Sequence, residues 1–537
     1  MDELSKVNVN GKEYTLKDEA ARQGSGGSIA FIAQDDPPED TSVLWVNTSY
    51  DEISISKPTY YIATNSEYGI STESEDNTAA MQNLINLVHR NGGGIIWLPI
   101  GEYRFNSANS VPENADFRAI LTPQSGVSIM GESISGTVIK VYGNTEKGAS
   151  WLANFIADKN DKSVKLFGCT YQNFTIDMSE ATVDEYSSTG KALGMKSLKD
   201  CVFRDLSLLE TPSTALGIDM LDNVVIDSVY IYKGGREWSP GGQGGAGIGI
   251  GTGKWDNENY VVRNCICVEC GHFGIFLEDQ GIFSGNSQQN YPEGPIIANN
   301  VIRNGRNYGI GVRGGRNVIV TGNNLYGNKG GVYLDYGAKN ALISNNVIAD
   351  STEAGVMFGI EDQGHGDYVC ENVAVLCNSF FDNKLGVSTA LRMPINSEFT
   401  SNVFIGNENN LHASIPIDES KIKQGIYIND SGEEAVNARS WLYDEFIDLY
   451  TTTLTWTPIG KVADGTYKNP RIAIYDENKG FLHRINGDYD PSRLESILEE
   501  SLVAAGKSTN YRYIKFGDNC EGEIIGTLRL YILTEVV

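Results

Sequence analysis

The chain has 537 residues, 59 of them glycine and 15 proline, is 40% hydrophobic and 10% aromatic, and carries a formal charge of −27. Enough apolar side chains are present to exclude a disordered chain. The acidity excludes nucleic acid and anionic membrane as natural partners, since both reward Lys and Arg, and no run has the length and apolarity of a membrane span.

Residues 1–58 are polar and irregular. Two short strand-like runs, Lys6–Gly11 and Ser42–Asn47, flank a Gly/Ser linker at Gly24–Ser28 and a Pro-rich turn at Asp35–Glu39. Such a segment buries little by itself, which predicts docking on another protein. The start, Met1-Asp2-Glu3-Leu4-Ser5-Lys6, lacks the basic-then-apolar pattern of a secretory signal. Reduced thiols are therefore expected for the eight cysteines. Cys265, Cys267 and Cys270 read as small apolar residues within the repeats, because no second Cys/His cluster has ligand spacing. No EF-hand-like spacing appears either, and neither a metal nor a cofactor is expected.

An amphipathic helix follows. Residues 80, 81, 84, 85, 87 and 88 are apolar, Asp76 or Asn77 can cap the start, and Asn91-Gly92 ends it. Residues 59–430 then carry a repeat. Asn pairs recur at Asn299-Asn300, Asn323-Asn324 and Asn345-Asn346, continued by Cys377-Asn378 and Ser401-Asn402. Aligned on Asn300, Asn324 and Asn346, the spacings are 24 and 22 residues. Between them a Gly precedes alternating apolar residues, as at Gly217-Ile-Asp-Met, Gly247-Ile-Gly-Ile, Gly274-Ile-Phe-Leu, Gly309-Ile-Gly-Val and Gly331-Val-Tyr-Leu.

Three short strands per coil, each with period-two alternation, predict a mainly-β fold: a right-handed single-stranded parallel β-helix. A coil cannot bury its inward Ile, Val and Leu alone, so coils stack into apolar ladders, with asparagines bonding amide to amide at one turn. The open end needs a lid, and the helix supplies it. A leucine-rich repeat is disfavoured, because no helix-period segment separates the strands. Residues 431–537 change texture, with Leu454–Ile459, Arg471–Tyr475 and Tyr511–Phe516 strand-like and Ser492–Ala505 helix-like. They read as a separate, mostly-β domain, a sandwich with one helix, serving trimerisation or glycan binding.

The strings Tyr68-Gly69, Asp76–Gln82, Gly92-Gly93-Gly94-Ile-Ile-Trp-Leu98-Pro99 and Gly101-Glu102-Tyr103 resemble the opening of the pectate-lyase-like β-helix superfamily. Phage tail-spike depolymerases and mannuronan epimerases share that opening. Val7–Asp18 and Pro38–Trp45 resemble attachment segments of tail and baseplate proteins from phages or prophages of Gram-positive bacteria. The resemblance implies a homotrimeric spike on a virion or phage-tail-like particle, assembled in the host cytoplasm. It implies residues 1–58 as the link to a baseplate or tail protein, and a bacterial surface polysaccharide as the ligand. In the epimerase branch a Gly-x-Asp-x-His context is catalytic; Gly217-Ile-Asp219-Met-Leu keeps the Gly and the Asp but lacks the His.

Strand parity then gives a candidate site. If residues one and three after each Gly point inward, Asp219, Leu221, Gly249, Gly251, Phe276, Glu278, Gly311, Arg313, Tyr333 and Asp335 face out. Asp219, Glu278, Asp335 and Arg313 are the candidate catalytic groups. Glu278 and Asp335, two coils apart, are separated by roughly 10 Å and could flank a glycosidic bond with a water between them. Arg313 between them would bind a sugar carboxylate or developing charge. A surface ion-pair ladder would use the same three residues, but it would not explain the adjacent aromatics and glycines. Phe276 and Tyr333, with Trp238 and Trp255 from insert loops, are the expected substrate-binding rings, and each Trp could equally be a loop anchor. The function expected is depolymerisation of a surface polysaccharide by hydrolysis or β-elimination; the alternative is a receptor-binding protein that adheres to cell-wall glycan without cutting it.

Overall fold

A computed structural model describes residues 59–112, 117–154, 166–252, 258–280, 294–359, 369–389 and 394–416, with shorter stretches between 6 and 47 and between 422 and 532. Two units divide at Tyr60. In the first, Lys6–Val9 pairs antiparallel with Lys12–Thr15, and Phe31–Gln34 pairs parallel with Leu44–Asn47.

The second unit is a parallel β-helix. One coil runs Ile319–Thr321, Asn324–Tyr326, Gly330–Asp335, and the next runs Leu342–Ser344, Val347–Ala349, Ala354–Phe358. Each strand pairs in parallel with its counterpart one coil on. The third strand of every coil joins one long sheet, and the other two join another. Inward residues form continuous files: Ile218, Ile250, Leu277, Val312 and Leu334 stack in register and are essentially inaccessible. Cys265, Cys267 and Cys270 belong to the same core.

The asparagine marks are a buried ladder. The Asn300 Nδ2 donates to Asn323 Oδ1, Asn323 to Asn346, and Asn346 to Asn378, each at 2.9 Å, and Asn378 donates to Asn402 at 3.1 Å. The ladder corrects the sequence alignment at one coil. Asn323, not Asn324, continues the series, which evens the spacing to 23 residues on either side. The turn requires a left-handed residue just before each rung, supplied by Asn299, Gly322, Asn345, Cys377 and Ser401 at φ 55–67°. Gly322 holds that place, so the rung moves to the residue after it. Asn323→Leu removes two donors and an acceptor from a buried row, and the expected cost is about 1–3 kcal/mol. Urea unfolding measures it; a midpoint equal to that of the parent would show that the ladder contributes nothing.

The helix Thr78–Arg90 covers the start of the stack with Met81, Leu84, Ile85 and Val88 buried in the core. The Gln82 side chain satisfies the edge of the first groove-side strand, accepting from Thr122 N–H at 2.8 Å and donating to Thr122 O at 3.2 Å. Asn77 is the N-cap residue by position, but Asp76 makes the bond, accepting from Thr78 N–H at 3.1 Å. Burial raises the Asp76 carboxyl's pKa, but bonds from Thr78, Asn109 and Asn106 outweigh it and hold the group below its ordinary value.

At the other end Asn409–Pro416 pairs antiparallel with Arg529–Ile532. Beyond the coils, Ile422–Ile428, Glu434–Tyr443, Ile447–Asp448, Arg471–Tyr475, Phe481–Ile485 and Tyr513–Asp518 form one antiparallel sheet. The helix Leu494–Ala504 packs on it through Leu498 and Leu502. Among the described residues this sheet and its helix are accompanied by a separate two-stranded pairing of Gly460–Lys461 with Tyr467–Lys468; of the expected strands, Leu454–Ile459 lies outside the described residues. No helix among the described residues is long and apolar enough to cross a membrane.

Candidate functional site

The groove wall is built by Leu193–Lys199, Leu216–Asp222, Ile248–Thr252, Ile275–Asp279, Tyr308–Arg313, Gly330–Asp335 and Ala354–Phe358. Two outward rows run along it. One is Lys196, Asp219, Gly251, Glu278, Arg313, Asp335; the other is Gly217, Gly249, Phe276, Gly311, Tyr333, Met357. All four charged residues singled out from parity therefore share one row.

Two details differ from the parity reading. Gly217 lies opposite Gly249, not Gly247, which brings Asp219 into the row of Glu278. Alternation also fails past Asp219, because Met220 takes a left-handed conformation (φ 58°). That turn sends Leu221, expected outside, into the core, and leaves Met220 buried apart from the central cluster.

Beside these rows lies a groove of about 830 Å³, with Trp238 and Gly241–Gly244 as a first wall and with Glu278, Gln280, Arg313, Lys329, Glu353, His272, Phe273, Phe276, Asn307, Tyr308, Tyr333 and Met357 also lining it. The glycine loop of the first wall is tied down three times. Trp238 Nε1–H donates to Gly242 O at 2.8 Å, Tyr186 O–H donates to Gln243 O at 2.6 Å, and His272 Nδ1 lies 2.9 Å from Gly244 O. A carbonyl only accepts, so the His272 proton sits on Nδ1. Burial, with Arg313 adding to it, pushes the His272 pKa down to about 4 against the opposing pull of Gly244 O, so the ring is neutral at physiological pH.

Arg313 organises the charged end. Its Nη1 lies 3.8 Å from Glu278 Oε1 and its Nε 3.3 Å from Asp335 Oδ2. Its guanidinium also lies between two rings, with Cζ 5.5 Å from the Phe276 centroid and 4.6 Å from that of Tyr336. Burial pushes the Glu278 carboxyl up to about 7; Arg313 pulls it back, while Asp219 and Asp279 raise it further. Gln280 Nε2 donates to Glu278 Oε2 at 3.3 Å. At the other end Glu353 accepts from Tyr308 O–H at 2.9 Å and pairs with Lys329 Nζ at 3.1 Å.

Several expected roles change with this geometry. The Asp335 side chain is fully inaccessible, so it holds Arg313 from behind and does not face Glu278 across the groove. Asp219 stays partly exposed but lies past the groove-lining residues, accepting from Gly251 N–H at 2.9 Å and 3.9 Å from Lys196 Nζ. The Trp238 ring is stacked on His272 at 4.6 Å, and its other contacts crowd Gly245, whose Cβ would meet Trp238 Cδ1 at 2.4 Å. It is a loop anchor more than a stacking platform. Phe276 is buried, stacked on Phe273 at 4.6 Å, and forms floor beneath Arg313. Tyr333 is the half-buried ring that lines the groove as expected. Trp255 lies outside the described residues.

The parity argument missed Asn307, Lys329 and Glu353. Each sits two residues before a Gly phrase, so continuing the count upstream of the Gly would have found them. Lys329 N–H bonds Asn307 O and Glu353 N–H bonds Lys329 O, which makes these positions a third row. Among the described residues no cluster of three or more His, Cys, Asp or Glu side chains is placed to hold a metal ion.

Comparison with known proteins gives two family matches. The family described as right handed beta helix region matches residues 288–439, and the family described as rhamnogalacturonase A/epimerase, pectate lyase-like matches residues 66–278. The chain thus carries a pectate-lyase-like right-handed parallel β-helix. It is similar to mannuronan C5-epimerase AlgE3 of Azotobacter vinelandii, 41% identical over 66 residues, and to alginate lyase 7 of the same organism, 35% identical over 103 residues. Those stretches cover 12% and 19% of this chain, but only 3% of the epimerase and 11% of the lyase. Among solved structures, the A-module of Azotobacter vinelandii mannuronan C-5 epimerase AlgE4 aligns over 66% of this chain and 98% of its own, at 15% identity and a TM-score of 0.46.

Proposed function

We propose that the groove binds an extended glycan and that the protein cleaves a bacterial surface polysaccharide as the spike of a phage or phage-tail-like particle. Residues 1–58 dock it on a baseplate or tail protein in this proposal. The observation that carries the reading is the Glu278 carboxyl, raised to about 7 beside Arg313 in an open groove. A carboxyl that keeps its proton near neutrality is suited to general acid catalysis. The short sequence matches to mannuronan C5-epimerase AlgE3 and alginate lyase 7 are to enzymes named for a polysaccharide, which supports the substrate class.

In the hydrolytic form Glu278 gives its proton to the leaving glycosidic oxygen as the C–O bond breaks. Water forms the new C–O bond and loses a proton to a second carboxylate. Asp219 is our candidate for that base. It lies two coils from Glu278 with Gly251 between them, roughly 10 Å before side-chain bending, near the separation of inverting enzymes.

The burial of Asp335 favours a second reading, adhesion without cleavage, because it removes one of three candidate acids from the groove. Incubation with purified wall polysaccharides from a panel of Gram-positive bacteria separates the two. Shortened chains with new reducing ends are expected, and ultraviolet-absorbing unsaturated ends would identify elimination instead. Binding without shortening would leave the adhesin, and neither binding nor shortening would overturn both readings.

A further inference from the structure

The cations of the groove are matched by acids of the chain itself. Among the described residues four charged side chains line it, Glu278, Arg313, Lys329 and Glu353. Lys329 Nζ lies 3.1 Å from Glu353 Oε1, and the second oxygen of that carboxylate accepts from Tyr308 O–H at 2.9 Å. Arg313 turns Nε to Asp335 at 3.3 Å and Nη1 to Glu278 at 3.8 Å, with its guanidinium between the rings of Phe276 and Tyr336. A guanidinium grips a carboxylate or phosphate through two parallel N–H donors. On Arg313 the edge bearing Nε is turned to Asp335 and the end bearing Nη1 to Glu278, so an incoming anion would have to displace an acid. Asp335 balances the guanidinium whichever way Glu278 is protonated.

We propose that the glycan taken by this groove is uncharged along the stretch it binds, built of neutral sugars without uronate, phosphate or sulfate groups. The proposal rests on the glycan reading above and narrows it. Arg313 is expected from the sequence to hold a sugar carboxylate, yet such a group would come beside Glu278 and Asp335, and charges this close are poorly screened by salt. The net charge of −27 also repels a polyanion before it arrives. The rest of the lining suits hydroxyls. Gln243, Gln280 and Asn307 carry amides, which both donate and accept, as a sugar hydroxyl does. The half-buried ring of Tyr333 offers an apolar face to a sugar ring.

The test uses the full-length chain, its Glu353→Gln variant, and wall polysaccharides of Gram-positive bacteria separated by anion exchange into neutral and anionic fractions. The parent is expected to bind the neutral fraction at least about tenfold more tightly than the anionic one. That affinity should stay within about twofold when salt is raised about tenfold. In Glu353→Gln the acid beside Lys329 is gone, so binding of the anionic fraction is expected to rise about tenfold and to weaken with salt. The Lys329 and Glu353 side chains are 45% and 40% exposed, and loss of folding would not produce a gain of binding. A parent that prefers the anionic fraction would overturn the proposal and leave the glycan reading in place. A variant without the gain would do the same, since Glu353 would then not be what keeps anions out. A parent that binds neither fraction would overturn the glycan reading and this proposal with it.

Discussion

Glu278→Gln is expected to lower polysaccharide cleavage by 10²–10⁴-fold, the usual contribution of a general acid, while leaving glycan binding within a few-fold of the parent. The amide keeps the shape and the contact with Gln280 but has no proton to give. The parent's pH profile follows from the same group. Its pKa is raised to about 7, so the acid form holds below that value, and the rate should fall tenfold per unit above it. Stability also falls with rising pH, over a lower window. The unfolded carboxyl loses its proton near its ordinary value of 4.5, while the folded one keeps it to about 7. The native state therefore binds more protons across that window, and stability falls as pH rises through it. The variant should lose that slope and melt higher than the parent at pH 8. Thermal melts at pH 5 and 8 read this without any substrate. A pH dependence of stability that is the same in the parent and in Glu278→Gln would show that Glu278 titrates normally and would remove the acid from the mechanism.

The second large effect concerns Arg313→Ala. Removing the guanidinium takes away the cation 3.3 Å from the inaccessible Asp335 carboxylate and the packing between Phe276 and Tyr336. Breaking a buried pair from one side costs about 3–5 kcal/mol, because the remaining charge is stranded. Arg313→Ala/Asp335→Asn should recover part of the loss, since the stranded charge is gone, although the ring packing is not restored. Denaturant unfolding of the parent and both variants measures this. A single variant within 1 kcal/mol of the parent would mean that Asp335 does not depend on Arg313.

Architecture was the most legible part of the sequence, because it rests on a repeated pattern. Period-two alternation and asparagine marks recur in coil after coil, so an error at one coil, such as Asn324 for Asn323, leaves the rest intact. The charged row was legible for the same reason: strand parity survives a shift of two residues, and Asp219 stayed outward although its register was misread. What parity could not supply was depth. Asp335 and Phe276 face away from the core, yet side chains from neighbouring rows cover them. Nor could it foresee the left-handed Met220, a residue type that rarely takes that conformation, which ended alternation one residue past Asp219. Loop residues such as Trp238 obey no repeat, so nothing in their spacing separates an anchor from a binding ring.

The strand Arg529–Ile532 has a consequence for how the molecule is made. It pairs with Asn409–Pro416, the groove-side strand of the terminal coil, yet it is translated after every coil and after the antiparallel sheet beyond them. Until it leaves the ribosome, the stack ends in bare N–H and C=O groups, a template for pairing with other chains. A chain cut near residue 430 would keep that raw edge permanently. It should precipitate or form strand-linked aggregates and not behave as a well-formed solenoid, so fragments divided there are poor reagents for studying the groove.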